Sequence, residues 1–368
     1  MLRLAARAAS ALALATAVAL TTAAPALADP PAPIPVPPPK AADIVGVGSS
    51  VTQSLFNQFS GDYNASLTAA GDSTSPRLYS WDSTGSNTIT PKTGADTIVR
   101  PFESSAGITA LSATTSRTLD FSRDTRTPQF GDPVTTLFVA MAKDAVSWAA
   151  PTGGNAPANL TTAQLGAIYS CQITNWRQIS SALPDATIRP VVAGHMAVDR
   201  NGAYGLATDT TTYFLAKINY HGILLNDNAT DHSCVSVVER GNQGTDPVLH
   251  DPNAVVPYSV GRYLGQAYGG HTGPGDEPGA LVPRALNGIQ PISTTSISAT
   301  FAASPYGYVL YNTVRAAEWN GSDAHTQALR RIFSVIGWIC RDPAALAGIR
   351  SHGFLVIPPG ACGSITHM

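Results

Sequence analysis

The sequence predicts an α/β protein of two lobes. Short β-branched runs alternate with stretches whose apolar residues fall at helical spacing, the pattern of mainly parallel sheets. A chain of 368 residues with 44% hydrophobic side chains is also long enough to bury two cores. Charged residues make up only 12%, so Ser, Thr, Asn, Gly and Pro must supply the polar surface, a composition that suits a secreted protein. The formal net charge is −2 and no long basic or acidic block occurs, which argues against nucleic acid or an anionic membrane as partner.

At the N-terminus Arg3 and Arg7 precede the apolar stretch ALALATAVAL, and Ala26 to Ala28 offer the small side chains of a cleavage site. Residues 1–28 are therefore expected to be a signal peptide cut before Asp29, with no cysteine there to carry a lipid anchor. Residues 29–41 follow as a proline-rich linker. The run PPAPIPVPPP favours an extended polyproline II spacer, with a ligand for a proline-reading domain as the alternative.

Globular sequence starts near Ala42. DIVGVG reads as a strand, and Leu55, Phe56, Phe59 and Tyr63 then mark a helix face. Pro76 to Pro101 reads as strand and loop; Ser104 to Thr115 reads as a helix with a serine-rich start, and TLDFSR ends a strand in polar residues. Val134 to Trp148 contains a candidate buried strand. Thr161 or Thr162 caps the next helix, which carries Leu165, Ile168 and Tyr169 on one face. Thr187 to Gly194 (strand), Thr210 to Ile218 (helix) and Ala254 to Gly269 (strand then helix) continue the alternation. Tyr306 to Val314 is a further strand, and Asp323 to Cys340 an amphipathic helix. No internal repeat is present at solenoid periods.

Four cysteines in an oxidising compartment are expected to pair. Of three connectivities, Cys171 with Cys234 and Cys340 with Cys362 is favoured, because each bridge then staples one region. No C-x-x-C spacing supports a metal instead. His221, His232, Asp227 and Asp231 cluster in sequence but lack the H-E-x-x-H periodicity, and His195 lies in a polar loop, so no metal and no cofactor is expected. GVGSSV places its serine one position too late for a nucleophile elbow, which leaves a hydrolase unsupported. The five tryptophans are scattered singly, as core or interlobe packing rather than a carbohydrate platform.

Four stretches, DIVGVGSSVTQ, LDFSRDTR, LTTAQLGAIYSCQITNW and VVPYSVGRYLGQ, resemble the extracytoplasmic solute-binding proteins of the phosphate-importer type, in particular their secreted actinobacterial branch. The third stretch is the most specific. The resemblance implies a two-lobed periplasmic-binding-protein-like fold with two crossover hinge strands, near Leu137 to Ala140 and Val255 to Tyr258. Lobe 1 would comprise 42–136 plus 256–368 and lobe 2 would comprise 137–255. It further implies a monomer that captures a small solute without chemistry and hands it to an ABC importer permease.

The physical chemistry of three turns agrees with that expectation. Gly46 and Gly48 bring backbone close, the free N–H groups of a helix start attract an anion, and Ser49, Ser50 and Thr52 add hydroxyls. By resemblance the ligand contacts fall on Ser50, the Val51 amide and Ser49; the plainer alternative is an ordinary capped helix. In DFSRDTR, Arg123 is a candidate for bidentate oxyanion pairing and Asp124 for accepting the proton of hydrogen phosphate, or both are solvated neighbours. At the third turn the family carries G-S-G-T, where this chain has a longer stretch ending in Thr208, Asp209 and Thr210. Thr208 and Thr210 replace the hydroxyl residues, but Asp209 replaces a glycine and repels an anion. Phosphate or another oxyanion is the first ligand to consider. A neutral or cationic solute, or a cell-wall or interaction module that keeps the fold without small-ligand capture, are the alternatives.

Overall fold

The computed structural model describes residues 39–199, 202–219 and 234–367. The signal peptide, most of the proline-rich linker, and His221, Asp227, Asp231 and His232 lie outside the described residues. So does the side chain of His195.

The first half alternates β1 (Ile44–Gly48), α1 (Gln53–Ala69), β2 (Leu78–Ser80), α2 (Glu103–Ala113) and β3 (Phe121–Asp124). The chain then runs through one long strand, β4 (Thr136–Pro151), into α3 (Thr162–Tyr169), β5 (Arg189–Asp199), α4 (Asp209–Lys217) and β6 (Ser236–Val238). It returns through β7 (Ala254–Ser259) to α5 (Val260–Ala267), β8 (Gly307–Arg315), α6 (Ala324–Phe333) and the short α7 (Trp338–Arg341). The main sheet follows the order β6-β5-β7-β4-β8-β3-β1-β2. The fold is thus the expected two-lobed α/β arrangement.

Pairing is parallel at both ends, β2-β1-β3 and β6-β5-β7, but antiparallel in the middle, where β4 pairs β7 and β8. Topology requires this: a chain that crosses between lobes and comes back must run its two crossing strands in opposite directions. The lobe-1 end of β4 pairs β8 through Leu137↔Val314, while β7 first meets β4 at Ser259↔Val146. The crossing therefore falls several residues later than Leu137 to Ala140. Residues Leu281–Pro283 and Ala285–Leu286 pair with the far end of β4 and with Asn159–Leu160, so this part of 256–368 joins the second lobe's strands rather than the first's.

Asp144 anchors the crossing. Its carboxylate accepts from Ser259 Oγ (2.6 Å), Tyr308 Oη (2.8 Å) and the Gly261 amide at the start of α5 (2.8 Å). One fully buried acid thus ties β4, β7, β8 and a helix N-terminus together; burial pushes its carboxyl up, and these hydrogen bonds only partly offset that. The apolar core is continuous along β4: Leu55, Phe56 and Phe121 on one side connect through Met141 and Val146 to Trp148, Ile168 and Val191 on the other.

Local signals explain the helices. Leu55, Phe56, Phe59 and Tyr63 are the buried face of α1, and Leu165, Ile168 and Tyr169 that of α3. Thr161 and Gln164 form a reciprocal capping box at the start of α3. The expected single helix from Asp323 to Cys340 is instead two, α6 and α7, separated at Ser334 to Gly337. There the backbone turns so tightly that a Cβ on Gly337 would lie 2.7 Å from the Ile332 carbonyl oxygen. Both favoured disulfides are present, with Cα separations of 5.9 Å for Cys171–Cys234 and 5.6 Å for Cys340–Cys362.

Candidate functional site

The β1–α1 turn is shaped by Gly48, whose φ of +113° lies where L side chains are strained and whose added Cβ would meet the Arg123 carbonyl at 2.4 Å. The turn therefore lies directly against the end of β3. Ser49 is buried; its amide donates to Arg123 O at 2.8 Å, and its hydroxyl sits 3.2 Å from Thr125 Oγ1 while donating to Glu103 Oε2 at 3.1 Å. Ser50 donates to the same carboxylate twice, from its amide to Oε2 (3.2 Å) and from its hydroxyl to Oε1 (2.5 Å).

A second carboxylate enters from the opposite lobe. Asp209, the first residue of α4, accepts at Oδ2 from the Ser104 amide (3.2 Å), Ser104 Oγ (2.5 Å) and Thr125 Oγ1 (2.7 Å). Ser104 also accepts from the Thr125 amide (3.0 Å), which locks α2 to the end of β3. Donors aimed as they would be at a bound oxyanion thus hold the protein's own acids. Glu103, with 3% of its surface exposed, is pushed up to about 8 by burial and then by Asp209 beside it, so the pair carries a proton at neutral pH.

The remaining predicted residues divide clearly. The Val51 amide is taken by Ser49 Oγ at 3.3 Å, so it is not an open donor. Thr52 is buried and its hydroxyl has no hydrogen-bond partner. Arg123 does not face the cleft: its fully buried guanidinium turns under the turn and donates to Ser49 O (3.2 Å), Gly48 O (3.1 Å), Trp81 O (2.8 Å) and the Ser80 hydroxyl. Asp124 is also fully buried, accepts from Ser122 Oγ at 2.8 Å, and is pushed up to about 7 by burial. Neither residue is a solvated neighbour. Thr208 caps α4 by accepting from the Thr211 amide (3.3 Å), and Thr210 borders a void of about 10 Å³ with Ser50, Val51 and Arg262.

Beside the carboxyl pair lies a chamber of about 550 Å³. Ser50, Asp82 and Glu103 line it from one side, Thr208, Glu239 and Arg240 from the other, and Asp276 closes it. Asp276 is held by the Arg262 guanidinium and by Asn242 Nδ2 at 2.7 Å.

Sequence reading missed Glu103, Ser104 and Thr125 as site residues. The available signal was the acid directly before the serine-rich helix start, since a carboxylate is favoured beside free amides.

Residues 35–217 match the model of the PBP superfamily domain. Over that span the chain carries a PBP superfamily domain. No curated protein matches its sequence significantly. Among solved structures it is similar to an ABC-type phosphate transport receptor from Vibrio cholerae (16% identity, TM-score 0.54, covering 86% of this chain and 100% of that one). It is also similar to a putative phosphate ABC transporter substrate-binding protein with bound phosphate from Clostridium perfringens (13% identity, TM-score 0.55, 86% and 100%). The likeness is one of fold.

A different acidic group, Asp120, Glu318 and His325, has its ligand atoms within 4.8 Å of one another. Lys92 Nζ already stands 2.6 Å from Asp120 Oδ2 with both side chains fully buried, and His325 Nε2 lies 2.9 Å from Asp120 Oδ1, so this acid already has two partners. Among the described residues, no single helix is long and apolar enough to cross a membrane.

Proposed function

We propose that this chain is a secreted solute-binding protein that captures a small polar ligand between its lobes and passes it to an ABC importer permease, acting as a monomer and without catalysis. The observation that carries the reading is the chamber of about 550 Å³ lined from both lobes by hydroxyl, carboxyl and guanidinium groups, a size and character suited to a small molecule. The signal-like N-terminus and two disulfides fit an oxidising extracytoplasmic compartment. Phosphate, the solute for which the two structural neighbours are named, is the first oxyanion to try.

Thermal melting of the mature protein against millimolar phosphate, sulfate, phosphonates, sugars and small amines tests the reading. A solute that binds only the native state raises the midpoint by mass action. At least one class is expected to do so; no shift across the panel would contradict solute capture.

A further inference from the structure

We propose that Glu103 and Asp209 are tethered stand-ins for an oxyanion: they occupy the donor cluster of the first lobe, turn away free phosphate and sulfate, and leave the chamber to a solute without an oxyanion group. The inference rests on the solute-binding reading and names the ligand class of that same cleft.

Ser49 Oγ and the amide and hydroxyl of Ser50 all point at Glu103, while the amide and hydroxyl of Ser104 and Thr125 Oγ1 point at Asp209. Two amides and four hydroxyls from three separate segments converge, and each is already satisfied by a carboxylate oxygen. An incoming phosphate must expel both acids or lie against them without donors.

Backbone geometry points the same way. Glu103 has φ +62°, a left-handed conformation that favours glycine, and an L residue holds it only where its surroundings fix it. Here the grip of Ser49 and Ser50 on the carboxylate does so. Asp209 arrives independently, from the first turn of a helix in the other lobe, yet ends on the same cluster. The chamber beyond repeats the sign: Asp82, Glu239 and Asp276 face it together with Arg240, and Asp276 is held by Arg262. A free anion therefore meets carboxyl groups at the donors themselves.

Isothermal titration of the mature protein with phosphate and with sulfate at pH 7 provides the test. Wild-type protein should show no binding. The Glu103→Gly/Asp209→Gly variant, which frees the donors that both carboxyls occupy, removes the Asp209 carboxylate at contact distance and restores the residue that φ +62° favours, should gain phosphate affinity by roughly 100-fold or more. Micromolar phosphate binding by the wild type overturns the proposal, and needs no variant to fold. A double variant that keeps a cooperative melt yet gains nothing also overturns it, and Glu103→Ala/Asp209→Ala, which likewise removes both carboxyls, serves as the same test should the glycine pair fail to fold. These outcomes separate from failure of solute capture: a wild type that binds phosphate sinks only the surrogate role. A wild type whose melting midpoint shifts with no solute of the wider panel, with a double variant that gains phosphate, sinks only the capture of another solute.

Discussion

Glu103 is the residue on which the site's pH response depends. Folded, it keeps its proton to about pH 8; unfolded, it releases it near its ordinary value of 4.5. Between those values the native state binds more protons than the unfolded chain, so stability falls as pH rises through the window. Asp124 acts in the same direction up to about 7. His352 acts oppositely, because burial, followed by the neighbouring His271, lowers it from 6.5 to about 3, and its effect is confined to pH below 6.5. The melting temperature is therefore expected to fall from pH 6.5 to pH 8.5, and Glu103→Gln to flatten that slope. A wild-type profile that is level over this range, or a variant with the same slope, would contradict the assignment.

The legibility of individual residues follows from the range of the forces that place them. The Ser49–Ser50 turn was readable as a strand-to-helix junction, because the β-branched run before it and the helical apolar spacing after it are local signals. Arg123 was misread as facing the ligand. Its direction depends on the register of β3 beside β1, which pairs Gly48 with Arg123, and neighbouring residues alone do not encode that register. Glu103 reaches Ser50 across 53 positions of sequence, so only the assembled fold brings them together.

At the scale of elements, hydrophobic periodicity located most strands and helices, since each buries one face against its neighbours. It failed where backbone geometry overrides periodicity. The stretch from Asp323 to Cys340 carries a helical pattern throughout, but the chain leaves the helix at Ser334, in extended geometry, and restarts at Trp338. Gly337 makes the turn feasible, since a Cβ there would lie 2.7 Å from both Ile332 O and Ser334 N. Gly337→Ala should therefore cost about 1–3 kcal/mol, as overpacking against backbone does, although alanine is normally the better helix former. Urea unfolding measures this directly. A variant as stable as the wild type would mean that the break is set by something else, such as the nearby Cys340–Cys362 bridge.

At the scale of the molecule, β4 serves both lobes and carries a continuous apolar core through the crossing. Two lobes were readable from chain length and alternating elements; the shared core was not, because nothing local distinguishes a crossing strand from any other buried strand. For the lobes to part, the polar contact across the cleft must break. Asp209 makes that contact, carrying a carboxylate from α4 to Ser104 and Thr125 of the opposite lobe. Small-angle X-ray scattering of the wild type and of Asp209→Ala at the same pH is the most direct measurement of whether this cleft is a junction between two bodies. The account predicts a larger radius of gyration for the variant as the lobes part; superimposable curves from two folded proteins would contradict it.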